Sequence, residues 1–143
     1  LKRHYTYKIF ARKTDLTFER RQFWHVRRPL DVSNMELAAS YLIGKHDFTT
    51  FRSSICQASS PVKTIDRIRI QSEKLRDGTI YEFDLSARSF LHNQVRSIVG
   101  CLEKVGCGKW APQKIQEILL SKDRSKCAAL APPGGLYLTK IEY

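Results

Sequence analysis

The sequence offers three settings in which side chains could do chemistry, and the first is an arginine beside an apolar stripe. Arg96 follows Val95, a member of a run of apolar residues spaced three and four apart, and His92 lies one turn earlier on the same predicted helix face. An arginine partly buried at the edge of such a stripe needs a carboxylate or phosphate partner. That partner is either a group with a role in function or a structural acid of the chain, such as Asp84.

The second setting is the opening strand pattern, in which tyrosines alternate with polar residues. Tyr5 and Tyr7 share one face of this predicted strand. The basic residues around them are Lys2, Arg3, His4 and Lys8. An aromatic ring among cations can stack on a nucleic-acid base while the cations hold phosphate. Alternating tyrosines are equally typical of core packing on a half-buried strand, so the residues alone leave both interpretations open.

The third setting is segment 45–54, which mixes hydrogen-bond donors, aromatic rings and cations. His46 and Asp47 could form an acid–base pair. The interpretation that we favour is structural: the phenylalanines pin the loop, and Asp47 caps a short helix. Arg52 could still contact phosphate or support a site elsewhere.

The charge of the chain indicates a polyanionic partner. Its 143 residues include 25 Lys and Arg against 14 Asp and Glu, a formal net charge of +11. Nucleic acid is the first candidate and an anionic membrane surface the second. Arg67 and Arg69 share one face of a predicted strand, which makes that face cationic. Such a face suits an RNA backbone, whose contacts position the molecule without reading its sequence.

The motifs that the sequence lacks exclude several kinds of site. It has no glycine-rich phosphate loop, no Ser–His–Asp pattern and no metal-ligand spacing, so neither a cofactor nor a metal is expected. The apolar content of 42% suits one globular domain, and no apolar run reaches the length of about eighteen residues that a membrane span needs. The cysteines have no two-residue spacing and are expected to be free, mostly buried thiols of a reducing cytosol. They are Cys56, Cys101, Cys107 and Cys127.

The elements that must position these residues are strands and helices in alternation. Period-two patterns predict strands at 4–9, 23–26 and 136–143, and a hairpin formed by 64–73 and 79–88. Helices are predicted at 31–43, 90–105, 112–120 and 124–130, and segment 45–60 is predicted to be a loop or short helix. Asp31 or Ser33 is expected to cap the first of these helices. The class is therefore α+β, with a mostly antiparallel sheet and helices packed on it. The chain opens within a strand pattern, so we expect further residues upstream in the natural protein.

Four motifs, in register along the whole chain, resemble those of the TruA-type tRNA pseudouridine synthases. They are the helix FLHNQVRSIVG at 90–100, the segment GKHDFTTFR at 44–52, the turn and strand APPGGLYL at 131–138, and the opening strand RHYTY at 3–7. The resemblance implies the C-terminal half of the pseudouridine synthase fold, so that residues 1–143 form a single catalytic and RNA-binding domain. It also implies that the domain before it, with the catalytic aspartate, is absent from this chain.

The resemblance also implies an enzymatic activity. Members of this family isomerise uridine to pseudouridine in the anticodon arm of tRNA, without a cofactor or metal. An aspartate attacks the nucleoside, and the uracil detaches, turns and rejoins through carbon. The target base must leave its stack to be reached. The resemblance further implies a cytoplasmic homodimer that binds tRNA and no membrane.

The resemblance also assigns roles to matching positions. Tyr5 matches the active-site tyrosine that packs on the target base, and Arg96 matches the arginine that pairs with the catalytic aspartate. Leu136 matches the apolar residue that lines the uracil pocket. Further candidates for substrate binding lie in the matching motifs: Phe90, His92, Arg52 and Arg3.

The departures from the family pattern limit what this chain can do. Asn93 and Gln94 stand where His and Met are commoner, and Thr6 replaces an arginine between the two tyrosines. The family's Gly-Arg-Thr-Asp motif has no equivalent, since Asp15 follows Lys-Thr in a charged loop with no glycine after it. We therefore expect this chain to be inactive alone. The alternatives are a non-catalytic basic RNA-binding domain and a purely structural dimerisation domain.

Overall fold

The computed structural model of the chain describes residues 1–16, 21–53 and 60–143. The strands are β1 (Lys2–Ala11), β2 (Trp24–Val26), β3 (Gly44–Asp47), β4 (Val62–Lys74), β5 (Thr79–Ala87) and β6 (Leu136–Glu142). The α-helices are α1 (Val32–Ser40), α2 (Gln94–Gly106) and α3 (Gln113–Ser121), and 3-10 turns lie at Thr49–Phe51, Arg124–Lys126 and Pro133–Gly135. This content confirms the predicted α+β class.

Strand β1 organises the sheet because both of its edges are paired. One edge runs antiparallel to β5 from Arg3 to Ala11. The other edge pairs with β6 over its first half, antiparallel, and with β2 over its second half, parallel. The full order is β2-β1-β5-β4-β3, with β6 attached to β1. Among the described strands only the β1–β2 contact is parallel, so the expectation of a mostly antiparallel sheet is confirmed.

The core lies between one face of the sheet and the helices. Tyr7 of β1 and Phe83 of β5 are opposite each other in the register, and both side chains are 0% exposed. The apolar stripe predicted for α2 is buried against them. Its members are Leu91, Val95, Ile98, Leu102 and Val105. Each such side chain stabilises the fold by roughly 1.5–3 kcal/mol when removed from water, so α2 is held firmly to the sheet.

Helix α2 begins later than its sequence pattern predicts. The apolar pattern starts at Phe90, but the helix starts at Gln94 because Asn93 adopts the left-handed conformation, with φ of 62°. Asparagine is one of the few residues besides glycine that enter this region readily. His92 therefore lies in the turn before the helix, and the prediction that it shares a helix face with Arg96 is wrong.

The segment after α1 contains a strand that its sequence does not predict. Residues Gly44–Asp47 form β3, which pairs antiparallel with β4 at the edge of the sheet. Its four residues are mostly polar, and such a short edge strand is specified by its neighbour and not by its own pattern. The 3-10 turn Thr49–Phe51 confirms the short helix, and residues 54–59 of this predicted segment lie outside the described ranges.

The prediction of a helix at 124–130 is also wrong beyond the first turn. Only Arg124–Lys126 form a 3-10 turn, and Cys127 is already extended, with φ of −71° and ψ of 147°. The chain then runs beside α2 until the amide of Ala131 donates to the carbonyl of Arg96 at 3.1 Å. Tertiary contact with α2 thus replaces the local helix that the sequence favours.

Two further predictions, a cap of the first helix and a hairpin, are confirmed. Asp31 caps α1 through a hydrogen bond from the Asn34 amide to its carboxylate at 2.9 Å. Strands β4 and β5 form the predicted hairpin, with a bulge between Ile65 and Arg67. No helix in the described ranges is both long and apolar enough to cross a bilayer.

Candidate active site

A cavity of about 480 Å³ lies where β1, the start of α2 and the turn before β6 meet. It is lined by Tyr5, Phe90, Leu91, His92, Asn93, Gln94, Val95, Arg96, Pro133 and Leu136. Five of the site residues predicted from sequence are in this lining, although they come from three separate motifs. The fold therefore brings together Tyr5, Phe90, His92, Arg96 and Leu136.

Two aromatic rings form one wall of the cavity. Tyr5 and Phe90 meet edge to face, with ring centroids 5.3 Å apart and planes at 85°. This is a favoured geometry for aromatic pairs. Both rings pack against the core and are only half-buried. Tyr5 therefore contributes to core packing and also presents a ring to the cavity, so the two interpretations of its sequence setting are compatible.

Arg96 lines the cavity and is held by uncharged groups. Its Nε donates to the carbonyl of Ala131 at 2.7 Å, and its Nη1 donates to Asn93 Oδ1 at 3.3 Å. The alternative that Asp84 is the structural partner of Arg96 is wrong. Asp84 instead accepts a hydrogen bond from Thr6 Oγ1 at 2.7 Å. None of the ion pairs within the described ranges includes Arg96. The half-buried guanidinium thus keeps a charge that no described acid neutralises.

Leu136 is fixed by the turn that precedes it. Gly135 packs so tightly on β1 that an added Cβ would lie 2.7 Å from the carbonyl of Lys8 and 2.8 Å from Tyr7 Cζ. The hydroxyl of Tyr7 donates to the carbonyl of Pro132 at 2.5 Å. Leu136 then pairs with Tyr7 as the first residue of β6. The Pro-Pro-Gly-Gly turn is therefore anchored at both ends, and the position of the leucine follows from that anchoring.

Two residues noted only as departures from the family pattern shape the turn before α2. Asn93 holds Arg96 Nη1 and makes the left-handed turn. Gln94 is fully buried, and its Oε1 accepts a hydrogen bond from the amide of Leu91 at 2.8 Å. Sequence reasoning gave neither a role. The signal for Asn93 was available, because it precedes Arg96 by three residues.

Two of the predicted substrate-binding residues lie elsewhere. Arg52 lines a separate cavity of about 190 Å³, beside Arg124. Arg3 occupies a strand position between Ala87 of β5 and Ile141 of β6. Neither is part of the cavity around Tyr5 and Arg96, so a contact of either arginine with the same ligand would involve a more distant part of it.

His46 and Asp47 do not form an acid–base pair. His46 Nε2 bonds the carbonyl of Ile43 at 2.8 Å. Asp47 accepts from the hydroxyl and the amide of Thr49, at 2.6 and 2.9 Å. The Thr49 hydroxyl lowers the pKa of the Asp47 carboxyl. Asp47 therefore stabilises the start of the 3-10 turn, and the structural interpretation is confirmed.

A cationic groove of about 420 Å³ lies over β6, β1, β5 and β4. Arg67 and Arg69 both line it and are exposed, which confirms that they share a strand face. His4 and Lys140 add further basic groups, and Asp84 is the acid among the lining residues. Tyr5 lines both this groove and the cavity, so the cationic surface reaches the candidate site.

The acidic, histidine and cysteine side chains of the described residues form neither a metal-binding cluster nor a disulfide. The described ranges hold no group of three or more His, Cys, Asp or Glu side chains placed to bind a metal ion. Cys101, Cys107 and Cys127 are free thiols, of which Cys101 alone is buried and the others are half-buried. Cys56 lies outside the described residues.

The chain is similar to known proteins along its whole length. The profile of the tRNA pseudouridine synthase family matches residues 38–143. Relatives called tRNA pseudouridine synthase A include one from Cereibacter sphaeroides, 49% identical over 143 residues, and one from Paracoccus denitrificans, 50% identical over 141. These alignments cover 100% and 99% of this chain but 56% and 54% of the relatives.

A third relative of the same name, from a Jannaschia species, is 52% identical over 141 residues and is covered to 54%. The chain thus spans about half the length of the curated relatives that it matches, and it corresponds to their C-terminal part. The family profile, the α+β fold and the shared motifs lead to one conclusion: the chain belongs to the tRNA pseudouridine synthase family.

Proposed function

We propose that this chain supplies the part of a tRNA pseudouridine synthase active site that holds the target uridine. The observation that carries the proposal is the cavity that joins Tyr5, Leu136 and Arg96. An aromatic ring and an apolar side chain suit the faces of a pyrimidine that has left its stack. The relatives are named for action on tRNA, which fits a chain of net charge +11.

The unneutralised guanidinium gives Arg96 its role. A cation beside a carboxylate favours the ionised carboxylate and lowers its pKa. A nucleophilic aspartate must be ionised to attack the nucleoside. Arg96, already oriented by Ala131 and Asn93, would hold this aspartate against the cavity while its own position stays fixed.

The aspartate itself comes from outside this chain. None of the lining residues within ranges 1–16, 21–53 and 60–143 is acidic. Asp15, which follows Lys-Thr in the sequence, is bound by Arg27 in an exposed ion pair. The nucleophile therefore belongs to the part of the relatives that this chain does not span, in a domain before residue 1. Alone, residues 1–143 would bind tRNA and catalyse nothing.

The remaining features of the proposal concern partners. Arg67, Arg69 and Lys140 would contact phosphates of the anticodon arm from the cationic groove. We further propose a homodimer in the cytoplasm, with no cofactor and no metal. The chemistry requires neither, because an ionised carboxylate is a sufficient nucleophile for the displacement.

The test joins this chain to the N-terminal part of the Paracoccus denitrificans relative. The readout is tritium release from tRNA labelled at C5 of uridine, since that hydrogen is lost only when the carbon–carbon bond forms. We expect release by the fused protein and none by the 143-residue chain. Comparable release by the chain alone would overturn the proposal. tRNA binding by both proteins without release by either would favour the non-catalytic RNA-binding domain.

A further inference from the structure

We propose that Cys127 and Cys101 form a thiol modification site that reacts with peroxide-type oxidants and closes to a disulfide. Their sulfur atoms lie 3.4 Å apart, in hydrogen-bonding contact, although 26 residues separate them in the sequence. Cys101 is on α2, and Cys127 directly follows the 3-10 turn Arg124–Lys126. The fold therefore places two reduced thiols side by side, outside the cavity described above.

The two thiols differ in their exposure to solvent, and this difference assigns them different roles in the oxidation. Cys127 is half-buried and lines the cavity of about 190 Å³ that also contains Arg52 and Arg124. Cys101 is 0% exposed and lies behind it. A small oxidant can therefore reach the sulfur of Cys127 but not that of Cys101. Cys127 is the residue attacked first, and Cys101 is the residue that resolves the product.

The surroundings also favour the thiolate at Cys127. The hydrogen bond with Cys101 lowers the pKa of the Cys127 thiol, against the effect of burial, and the charge of Arg124 lowers it further. The same hydrogen bond, together with burial, raises the pKa of Cys101. Since the thiolate is the nucleophile in thiol oxidation, both the electrostatics and the access select Cys127.

The reaction proceeds in two balanced steps. The Cys127 thiolate attacks one oxygen of a peroxide, a sulfur–oxygen bond forms, the oxygen–oxygen bond breaks, and the leaving oxygen takes a proton as water or alcohol. The Cys101 thiol then gives up its proton and attacks the sulfur of the sulfenic acid, the sulfur–oxygen bond breaks as the disulfide forms, and the leaving hydroxyl takes that proton and departs as water. Two thiols lose two electrons in total, and the peroxide accepts them.

The disulfide would act on a segment that contacts the candidate site. A disulfide bond is about 2.0 Å long, so the sulfurs must approach and draw Cys127 toward α2. The amide of Ala128 already donates to Cys101 Sγ at 3.4 Å. Three residues further along, Ala131 holds Arg96 through two hydrogen bonds. Oxidation would therefore restrain the segment that positions this arginine.

The test treats the folded 143-residue chain with limiting hydrogen peroxide, followed by alkylation and peptide mapping. We expect the loss of two of its four thiols and a single cross-linked peptide pair containing Cys101 and Cys127. Cys107, half-buried and bonded to the carbonyl of Lys104, is the internal control and should remain alkylatable. Oxidation of Cys107 at the same rate, or cross-links shared among all cysteines, would overturn the proposal.

Single variants separate the two roles. Cys101→Ser should stop at the sulfenic acid and yield a dimedone adduct on Cys127, whereas Cys107→Ser should behave as the wild type. If Cys101→Ser does not fold, the alkylation rates of the unoxidised wild type identify the thiol that reacts first. Cys127 should then react well before Cys101. Equal rates, or a folded Cys101→Ser variant without an adduct, would contradict the assignment. None of these readouts depends on pseudouridine formation, so they stand apart from the proposed function.

Discussion

Arg96 Nε donates to the carbonyl of Ala131 at 2.7 Å, and the amide of Ala131 donates back to the carbonyl of Arg96 at 3.1 Å. This exchange ties the first turn of α2 to the segment that leads into the Pro-Pro-Gly-Gly turn. It also accounts for the orientation of a guanidinium that has no acidic partner in the described part of the chain. The arginine is thus already oriented in the absence of the carboxylate that we propose as its partner.

This exchange gives Arg96 a measurable role in stability. Arg96→Ala removes the bonds to Ala131 and Asn93, and we expect the free energy of unfolding in urea to fall by about 1–2 kcal/mol. Arg76→Ala, in the exposed turn between β4 and β5, is the matched control and should change it little. An Arg96→Ala chain as stable as the control would show that these hydrogen bonds do not hold the segment.

Gly100 permits the close approach of that same segment to α2. An added Cβ would lie 2.3 Å from the carbonyl of Ala129, a backbone atom that cannot move alone. Gly100→Ala should therefore push residues 129–131 away from the helix and destabilise the chain by roughly 1–3 kcal/mol, measured by thermal unfolding.

Gly108→Ala is the comparison for this glycine. Gly108 has φ of +85° and open space around its Cβ position, so its substitution introduces backbone strain without a clash. Both variants should lose stability, but only Gly100→Ala should shift the amide resonances of residues 129–131 and the guanidinium of Arg96. Unchanged resonances in Gly100→Ala would contradict the described packing.

Tyr7 predicts a pH dependence of stability at alkaline pH. Burial raises the pKa of Tyr7 above its usual value of 10.0, against the opposing charge of Arg96. Above pH 10.0 the unfolded chain releases this proton while the folded chain retains it, so stability falls as pH rises, by up to about 1.4 kcal/mol per pH unit. Urea unfolding of the wild type and of Tyr7→Phe across this pH range measures how much of the loss of stability comes from Tyr7.

Tyr7→Phe has no such proton and should lose much of the alkaline decline. At neutral pH it should cost about 1 kcal/mol, because the hydrogen bond to the Pro132 carbonyl is lost. Tyr137→Phe, which removes an exposed hydrogen bond to Gln22, is the control and should keep the wild-type decline. Identical pH profiles for Tyr7→Phe and the wild type would refute this account of the buried hydroxyl.

Tyr5 should act through its ring and not through its hydroxyl. No hydrogen bond of the described residues involves the Tyr5 hydroxyl, whereas the ring meets Phe90 edge to face. In the fused protein, Tyr5→Phe should keep most of the activity, and Tyr5→Leu should lose the stacking contribution of roughly 1–3 kcal/mol. Steady-state rates of tritium release measure this, and a Tyr5→Phe variant as impaired as Tyr5→Leu would assign the role to the hydroxyl.

The sequence predicts the regular elements well because their patterns are strong. The alternation in β5 and the apolar stripe of α2 define a buried strand and a buried helix without further information. Local chemistry leaves Asp31 and Ser33 as candidates for the cap of α1, and the structure shows that Asp31 is the cap. By contrast, β3 is a short polar edge strand whose pairing depends on β4, and no local signal specifies it.

The site was predictable only in part, for related reasons. Periodicity places Arg96 beside the stripe, but its partner Ala131 is 35 residues away and contributes a backbone carbonyl, which no side-chain pattern reveals. The proximity of Tyr5, Arg96 and Leu136 came from the family resemblance. The contact between Cys101 and Cys127 was not foreseen, because their spacing matches no known motif and the segment between Lys126 and Ala131 was predicted to be helical.

The role of Arg96 is tested by comparing Arg96→Lys with Arg76→Lys in the fused protein, by tritium release from tRNA labelled at C5 of uridine. Lysine keeps the charge but cannot reproduce the paired Nε and Nη1 hydrogen bonds. Misplacing the aspartate's partner should lower the rate at least about a hundredfold, while Arg76→Lys leaves it unchanged. An Arg96→Lys protein as active as the control would contradict the claim that this chain positions the nucleophile through Arg96.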